Sequence, residues 1–153
     1  MTIHTLERTQ RLPISCAEAW GFFSDPRNLA QLTPPEIGFE SLNSTADCLY
    51  EGQILTYRIS VLPLVPLTWV TEIKAIEVGK SFVDEQRFGP YQFWHHRHTF
   101  EEIPGGVLVR DRVHYGLGWS LFGTIAHRLF VRRKLASIFD YRREVLTRRF
   151  GAF

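Results

Sequence analysis

The chain has 153 residues, 44% of them hydrophobic and 14% aromatic, and a formal net charge of +2. That length and apolar content fit one folded domain over residues 1–153 and exclude the disordered and low-complexity classes. No run reaches the ~18 apolar residues of a membrane span, the first ten residues are too charged for a secretory signal, and two cysteines are too few for a disulfide framework, so a cytoplasmic protein with no integral membrane association is expected.

Thr2–Arg11 alternates weakly and reads as a first strand, ended by Pro13. Ser15 and Glu18 form a capping box that starts a helix over Cys16–Phe23. Asp25-Pro26 restarts a second short helix that runs to Leu32, before Thr33-Pro34-Pro35 stops it. The period then falls to two. Strands are predicted over Phe39–Asn43, Gln53–Val61, Leu67–Ile76, Ser81–Phe88, Tyr91–Ile103 and Val107–Tyr115. Turn residues at Gly79, Gly89-Pro90 and Pro104-Gly105-Gly106 separate the later strands by a few positions, which makes them hairpin-connected and antiparallel. A helical period returns over Phe122–Arg149, a segment about 40 Å long. This order of elements is an α+β architecture: a curved antiparallel sheet of six to seven strands around a long C-terminal helix.

Charge is unevenly distributed. Residues 124–153 hold eight bases against Asp140 and Glu144, and the remainder is acidic. The bases are spread around the helix rather than along one face, and no aromatic RNA-binding motif accompanies them, so no nucleic acid is expected. The helix dipole favours cations near its C-terminus in any case.

Alternation assigns the faces of the strands. Trp94, His96, His98 and Phe100 share one face of their strand, and Val109, Asp111, Val113 and Tyr115 share one face of the next. A two-residue turn at Gly89-Pro90 pairs Glu85 with Trp94, which puts Glu85 inside as well. Tyr57 and Trp69 extend the inner surface. On the long helix the predicted apolar stripe is Leu121, Ile125, Leu129, Ala136, Phe139, Leu146 and Phe150, with Arg132 at its centre and Arg128 and Arg143 beside it. Tyr57, Trp69, Glu85, Trp94, His96, His98, Phe100, Asp111, Tyr115 and Arg132 are therefore the expected ligand-binding residues.

The segments FFSDPRNLAQLTPP (22–35), SFVDEQRFGPYQFWHHRHTFEE (81–102), LVRDRVHYGL (108–117) and AHRLFVRRKLASIFDYR (126–142) resemble the START-like, or polyketide cyclase–dehydrase (SRPBCC), superfamily. The likeness is to a bacterial single-domain branch, some relatives of which appear beside sugar-nucleotide-epimerase-like domains. The resemblance implies a helix-grip fold with a cavity between sheet and helix. Function transfers poorly across this fold, because its members bind lipids, hormones, polyketides or quinones with little shared chemistry.

Aromatic walls with a few polar groups describe a pocket for a small hydrophobic or aromatic molecule such as a lipid, quinone or polyketide-like compound. The alternative is a cyclase/dehydrase-type enzyme in which His96, His98, Asp111 and Glu85 do acid–base work. His96-x-His98 with nearby acids also has metal-ligand residue types, but satisfied structural histidines take precedence, so neither a metal nor a cofactor is expected. Cys16 stands at a helix N-terminus, where the dipole lowers a thiol pKa, yet with no partner His or Cys nearby it reads as a packing residue. His95, Arg97, Arg110 and Arg112 make a basic outer strand face, of the kind usually solvated, on which a partner or a weak homodimer could dock.

Overall fold

The computed structural model describes residues 2–43, 47–62, 65–118 and 125–153. Strand β1 (Ile3–Leu12) leads into helix α1 (Cys16–Phe23) and two 3-10 turns (Pro26–Leu32 and Pro35–Ile37). Strands β2 (Glu40–Ser41), β3 (Ile54–Leu62), β4 (Val65–Glu77), β5 (Ser81–Phe88), β6 (Phe93–Ile103) and β7 (Gly106–Gly116) follow, then helix α2 (Ile125–Phe150). The strands form one antiparallel sheet in the order β1-β7-β6-β5-β4-β3-β2. Among the described residues β1 and β7 are the one non-consecutive pair of neighbours, so the chain passes from β1 through α1 to the opposite edge of the sheet.

The caps act as their residue types dictate. The Ser15 hydroxyl accepts from the Glu18 N–H at 3.1 Å, and Asp25 accepts from the Arg27 N–H at 2.9 Å. The segment after Asp25 is a 3-10 helix rather than an α-helix, held by the Asn28 side chain donating to the Phe22 carbonyl. Cys16 departs from the dipole expectation: its thiol donates to the Gly79 carbonyl, and burial, reinforced by the charge of Glu102, pushes its pKa up.

Burial alternates along β6 and β7 as the period of two predicts, and Trp94 pairs with Tyr115, His98 with Asp111, and Phe100 with Val109. The turn into β7 requires glycine. A Cβ on Gly106 would collide with the Leu12 carbonyl oxygen, where β1 runs alongside β7. Gly106→Ala is therefore expected to cost on the order of 3 kcal/mol, read from the midpoint of chemical denaturation.

Helix α2 presents Val131, Leu135, Phe139, Arg142 and Leu146 to the sheet. This face is rotated from the predicted stripe: Leu129 is half exposed, and Arg132 and Arg143 face solvent. Apolar residues ring this helix and an arginine occupies its buried face, so hydrophobicity alone does not fix its rotation. Leu121 and the side chains of Ile125 and Arg128 lie outside the described residues.

Among the described residues, three apolar clusters make the interior. One, around Phe22, Phe23, Phe82 and Phe100, joins α1 to the sheet. A second, around Trp94, Tyr115, Leu135 and Phe139, joins β6 and β7 to α2. The third, around Ile37, Leu55, Tyr57 and Ile73, lies under β3 and β4. They leave a space where they meet.

Candidate functional site

That space is a cavity of about 220 Å³. Tyr57, Trp69, Phe82, Tyr91 and Trp94 form its aromatic wall on the sheet side, and Leu135, Ile138 and Phe139 close it from α2. The indoles meet edge to face, Trp69 against Trp94 with centroids 5.0 Å apart. Such pairs fix the wall beyond what area burial alone provides.

One part of the wall is polar. Asp84, His96, His98 and Arg142 reach the cavity, with Asp111 behind them. His96 Nδ1 lies 3.1 Å and His98 Nε2 2.7 Å from Asp84 Oδ2. The other nitrogens, His96 Nε2 and His98 Nδ1, are each 3.0 Å from Asp111 Oδ1. Two imidazoles and two carboxylates thus close a ring. The imidazole centroids are 3.8 Å apart, and Phe82 stacks on His98 at 4.2 Å. Trp94 Nε1–H donates to Asp84 Oδ1 at 2.9 Å. Arg142 Nη2 comes within 3.5 Å of Asp111 Oδ1, its guanidinium held near the faces of Phe23 and Phe139.

Burial sets the electrostatics of this ring. It disfavours the charged form of every member, but the neighbours reverse that. Asp84 and Asp111 push His96 up to about 9. Burial would raise Asp84, yet the imidazoles hold its carboxyl well below the usual range. Asp111 is likewise held low against burial, chiefly by Arg142. The two carboxylates are compensated from within the cluster by His96 and Arg142.

Of the residues expected at the site, Tyr57, Trp69, Trp94, His96 and His98 line the cavity. Asp111 is buried one layer behind the wall. Phe100 packs against Trp20 and Phe23, and Tyr115 against His4 and Tyr91, so both belong to the core beside the cavity. Glu85 is outside: its carboxylate pairs with Lys74 at 3.1 Å, and Asp84 takes the inner position. The cause is the β5–β6 connection. Pairing runs Asp84 to His96 and Glu85 to His95, one residue off the two-residue-turn register, and a one-residue slip exchanges the two faces. Gly89–Gln92 form a longer loop in which the Gln86 side chain donates to the Tyr91 carbonyl and accepts from its N–H. Arg132 is exposed, and Arg142 stands where it was expected. Asp84 is missed through the assumed loop length and not through its own strand, where it shares a face with Phe82 and Phe88, and Arg142 is missed because it lies off the stripe that hydrophobicity marks on its helix. The pairing of Arg142 with an inward acid is a signal that could have found it.

The outer basic face is largely neutralised, Arg110 pairing with Glu101 and Arg112 with Glu7. No helix among the described residues is long and apolar enough to cross a membrane.

Burial also raises the phenols of Tyr57 and Tyr91 above their ordinary range, with the charges of Asp84 and Tyr115 respectively adding to the shift. In the unfolded chain both ionise near pH 10, so above that pH the unfolded state gains by releasing protons that the native state keeps. Stability is therefore expected to fall as pH rises past about 10, by about 1.4 kcal/mol per pH unit for each such tyrosine. Denaturation midpoints between pH 9 and 11, with a shallower fall in Tyr57→Phe, check this.

The chain matches no protein-family model and no curated protein. Solved structures do match over nearly its whole length. The Zhui aromatase/cyclase from Streptomyces sp. R1128 superposes with a TM-score of 0.73 at 12% identity, over 95% of this chain and 92% of that one. Ara h 8.0201 superposes with a TM-score of 0.64 at 16% identity, over 95% of this chain and 98% of the other. A nucleoside-diphosphate sugar epimerase from Corynebacterium glutamicum is 26% identical over 92% of this chain, with a TM-score of 0.63, but the match spans only 28% of the epimerase. What the chain shares with these proteins is the fold.

Proposed function

Starting from a chain with the helix-grip fold of the START-like, polyketide cyclase–dehydrase superfamily, we propose that it binds and carries a small hydrophobic or aromatic molecule in the cavity between its sheet and α2. The observation that carries this reading is the composition of the cavity wall. Nine phenylalanine, tyrosine and tryptophan side chains border a space of about 220 Å³, and Asp84, His96, His98 and Arg142 give it one polar cluster. An apolar body would displace water along the aromatic wall, and a polar or anionic end would meet His96, His98 and Arg142. The aromatase/cyclase names among the fold's neighbours support this class of occupant without selecting one.

Trp69 and Trp94 report occupancy directly, since both indoles line the cavity. Titration with fatty acids, quinones and polycyclic phenols is expected to shift or quench their emission with micromolar affinity for at least one class. Native mass spectrometry of protein purified from its source is expected to retain an apolar molecule. Silence in both measurements overturns the reading.

One observation favours a second reading, dehydration or aldol cyclisation. His96 borders the cavity with Nδ1 on Asp84, and Asp84 and Asp111 push its imidazole up to about 9, so a substrate carbonyl that displaced Asp84 from Nδ1 would meet a proton donor there. His98 and Asp84 border the same space, whereas Glu85 does not. This reading expects His98→Ala to abolish turnover of a β-hydroxy or polyketide-like substrate while the fold persists. Retained turnover rejects it.

A further inference from the structure

The histidine–carboxylate ring has a feature that a ligand pocket does not require. Its two carboxylates occupy opposite sides of the same pair of imidazoles. Asp84, His96 and His98 line the cavity, His96 Nδ1 and His98 Nε2 both lie against Asp84 Oδ2, and one ligand atom from each of the three residues lies within 4.8 Å of the others. Asp111 takes the two far nitrogens on a single oxygen, 3.0 Å from each. Arg142 in turn sits against Asp111.

That division of labour is the one metal centres use. A metal-bound imidazole presents one nitrogen to the ion and gives its other N–H to a carboxylate, which fixes the tautomer and aims the ring. Here one buried carboxylate would serve both histidines. The proposed ligating carboxylate is oriented as well, because its second oxygen, Oδ1, accepts from Trp94 Nε1–H at 2.9 Å. Phe82 stacked on His98 and Phe139 edge-on to His96 at 5.5 Å restrict ring rotation. Asp111 thus anchors the far nitrogens of both rings on one oxygen, and the near nitrogens both converge on Asp84 Oδ2.

We propose that Asp84, His96 and His98 form a binding site for a divalent transition-metal ion such as Zn²⁺, with Asp111 and Arg142 as its supporting shell. Two imidazoles and one carboxylate suit zinc and neighbouring first-row ions and leave at least one coordination position free. That position faces the aromatic cavity. An apolar molecule ending in a carboxylate, phenolate or diketone oxygen would fill it. The site goes beyond the carrier reading and does not depend on it: the ion is bound by the chain alone.

The test uses untagged protein stripped with a chelator and titrated with Zn²⁺ against a chromophoric competitor, with no organic ligand present. Binding of one Zn²⁺ per chain is expected, with a Kd below about 1 µM. Asp84→Asn and His98→Gln are each expected to weaken it at least 100-fold, and Asp111→Asn by about 10–100-fold. His114→Ala, which dismantles the surface pair His95 and His114 with centroids 6.2 Å apart, is expected to leave it unchanged. Should the cluster variants fail to fold, Co²⁺-loaded wild type answers the same question, because His96 and His98 ring protons must then show paramagnetic shifts. Absence of stoichiometric binding, full affinity in Asp84→Asn, loss of affinity in His114→Ala, or unshifted His96 and His98 resonances each overturn the proposal. None of these outcomes bears on whether the cavity holds an apolar molecule.

Discussion

Arg142→Met is expected to destabilise the protein by about 3–5 kcal/mol, the cost of leaving a buried carboxylate without its cation. Both side chains of the Arg142–Asp111 pair are only 9% exposed, so water cannot replace the guanidinium. Methionine keeps much of the apolar stem, which packs by Phe23 and Phe139, and therefore isolates the charge from the packing contribution. Urea denaturation at neutral pH measures the loss. Asp111→Asn in the same chain should recover part of it, because the amide removes the uncompensated charge. A double-mutant cycle that shows no coupling between positions 111 and 142 would rule out this account of the cluster.

The second large effect concerns occupancy. Ile138→Trp is expected to weaken binding of any responsive apolar probe at least tenfold while costing less than about 3 kcal/mol of stability. Ile138 is half-buried on α2 and borders the cavity, so the indole can occupy ligand space without displacing the core below. Displacement of an environment-sensitive apolar dye, compared with the urea midpoint, separates blockade from unfolding. Wild-type affinity in a folded Ile138→Trp protein would place the ligand elsewhere. Phe139→Ala provides the opposite control. It enlarges the cavity, costs about 3–5 kcal/mol through lost burial and the void left behind, and should admit bulkier probes.

Much of the site was legible along single strands. Trp94, His96 and His98 share a face because successive side chains on a strand point to opposite sides, and the β6–β7 turn kept Asp111 on that same side. Tyr57 and Trp69 followed from the same rule on β3 and β4, where they pair directly across the ladder. Phe100 and Tyr115 have the expected facing and still miss the cavity, since facing tells which side of the sheet a residue covers and not where along it the space is left. That depends on how α1, α2 and the 3-10 turns pack against the sheet.

The two acid and arginine substitutions in the expected site have a common origin. Alternation within a strand and rotation within a helix are internal to one element. Relating one element to another needs a register, and each register here rests on few contacts. For β5 it is the Gln86–Tyr91 clasp, which lengthens the loop and exchanges Glu85 for Asp84. For α2 it is the Asp111–Arg142 pair, on a helix whose apolar residues select no single face.

The order of elements, the antiparallel sheet, the long terminal helix and the inward histidines were set by local periodicity, capping and turn chemistry, all of which act over a few residues. Assembly of Asp84, His96, His98, Asp111 and Arg142 into one buried ring was decided only when three strands and a helix met. Charges brought together from positions up to 58 residues apart in the chain compensate one another only in that geometry. No local pattern encodes such a pairing, because its free energy exists only after the surrounding apolar clusters have excluded water.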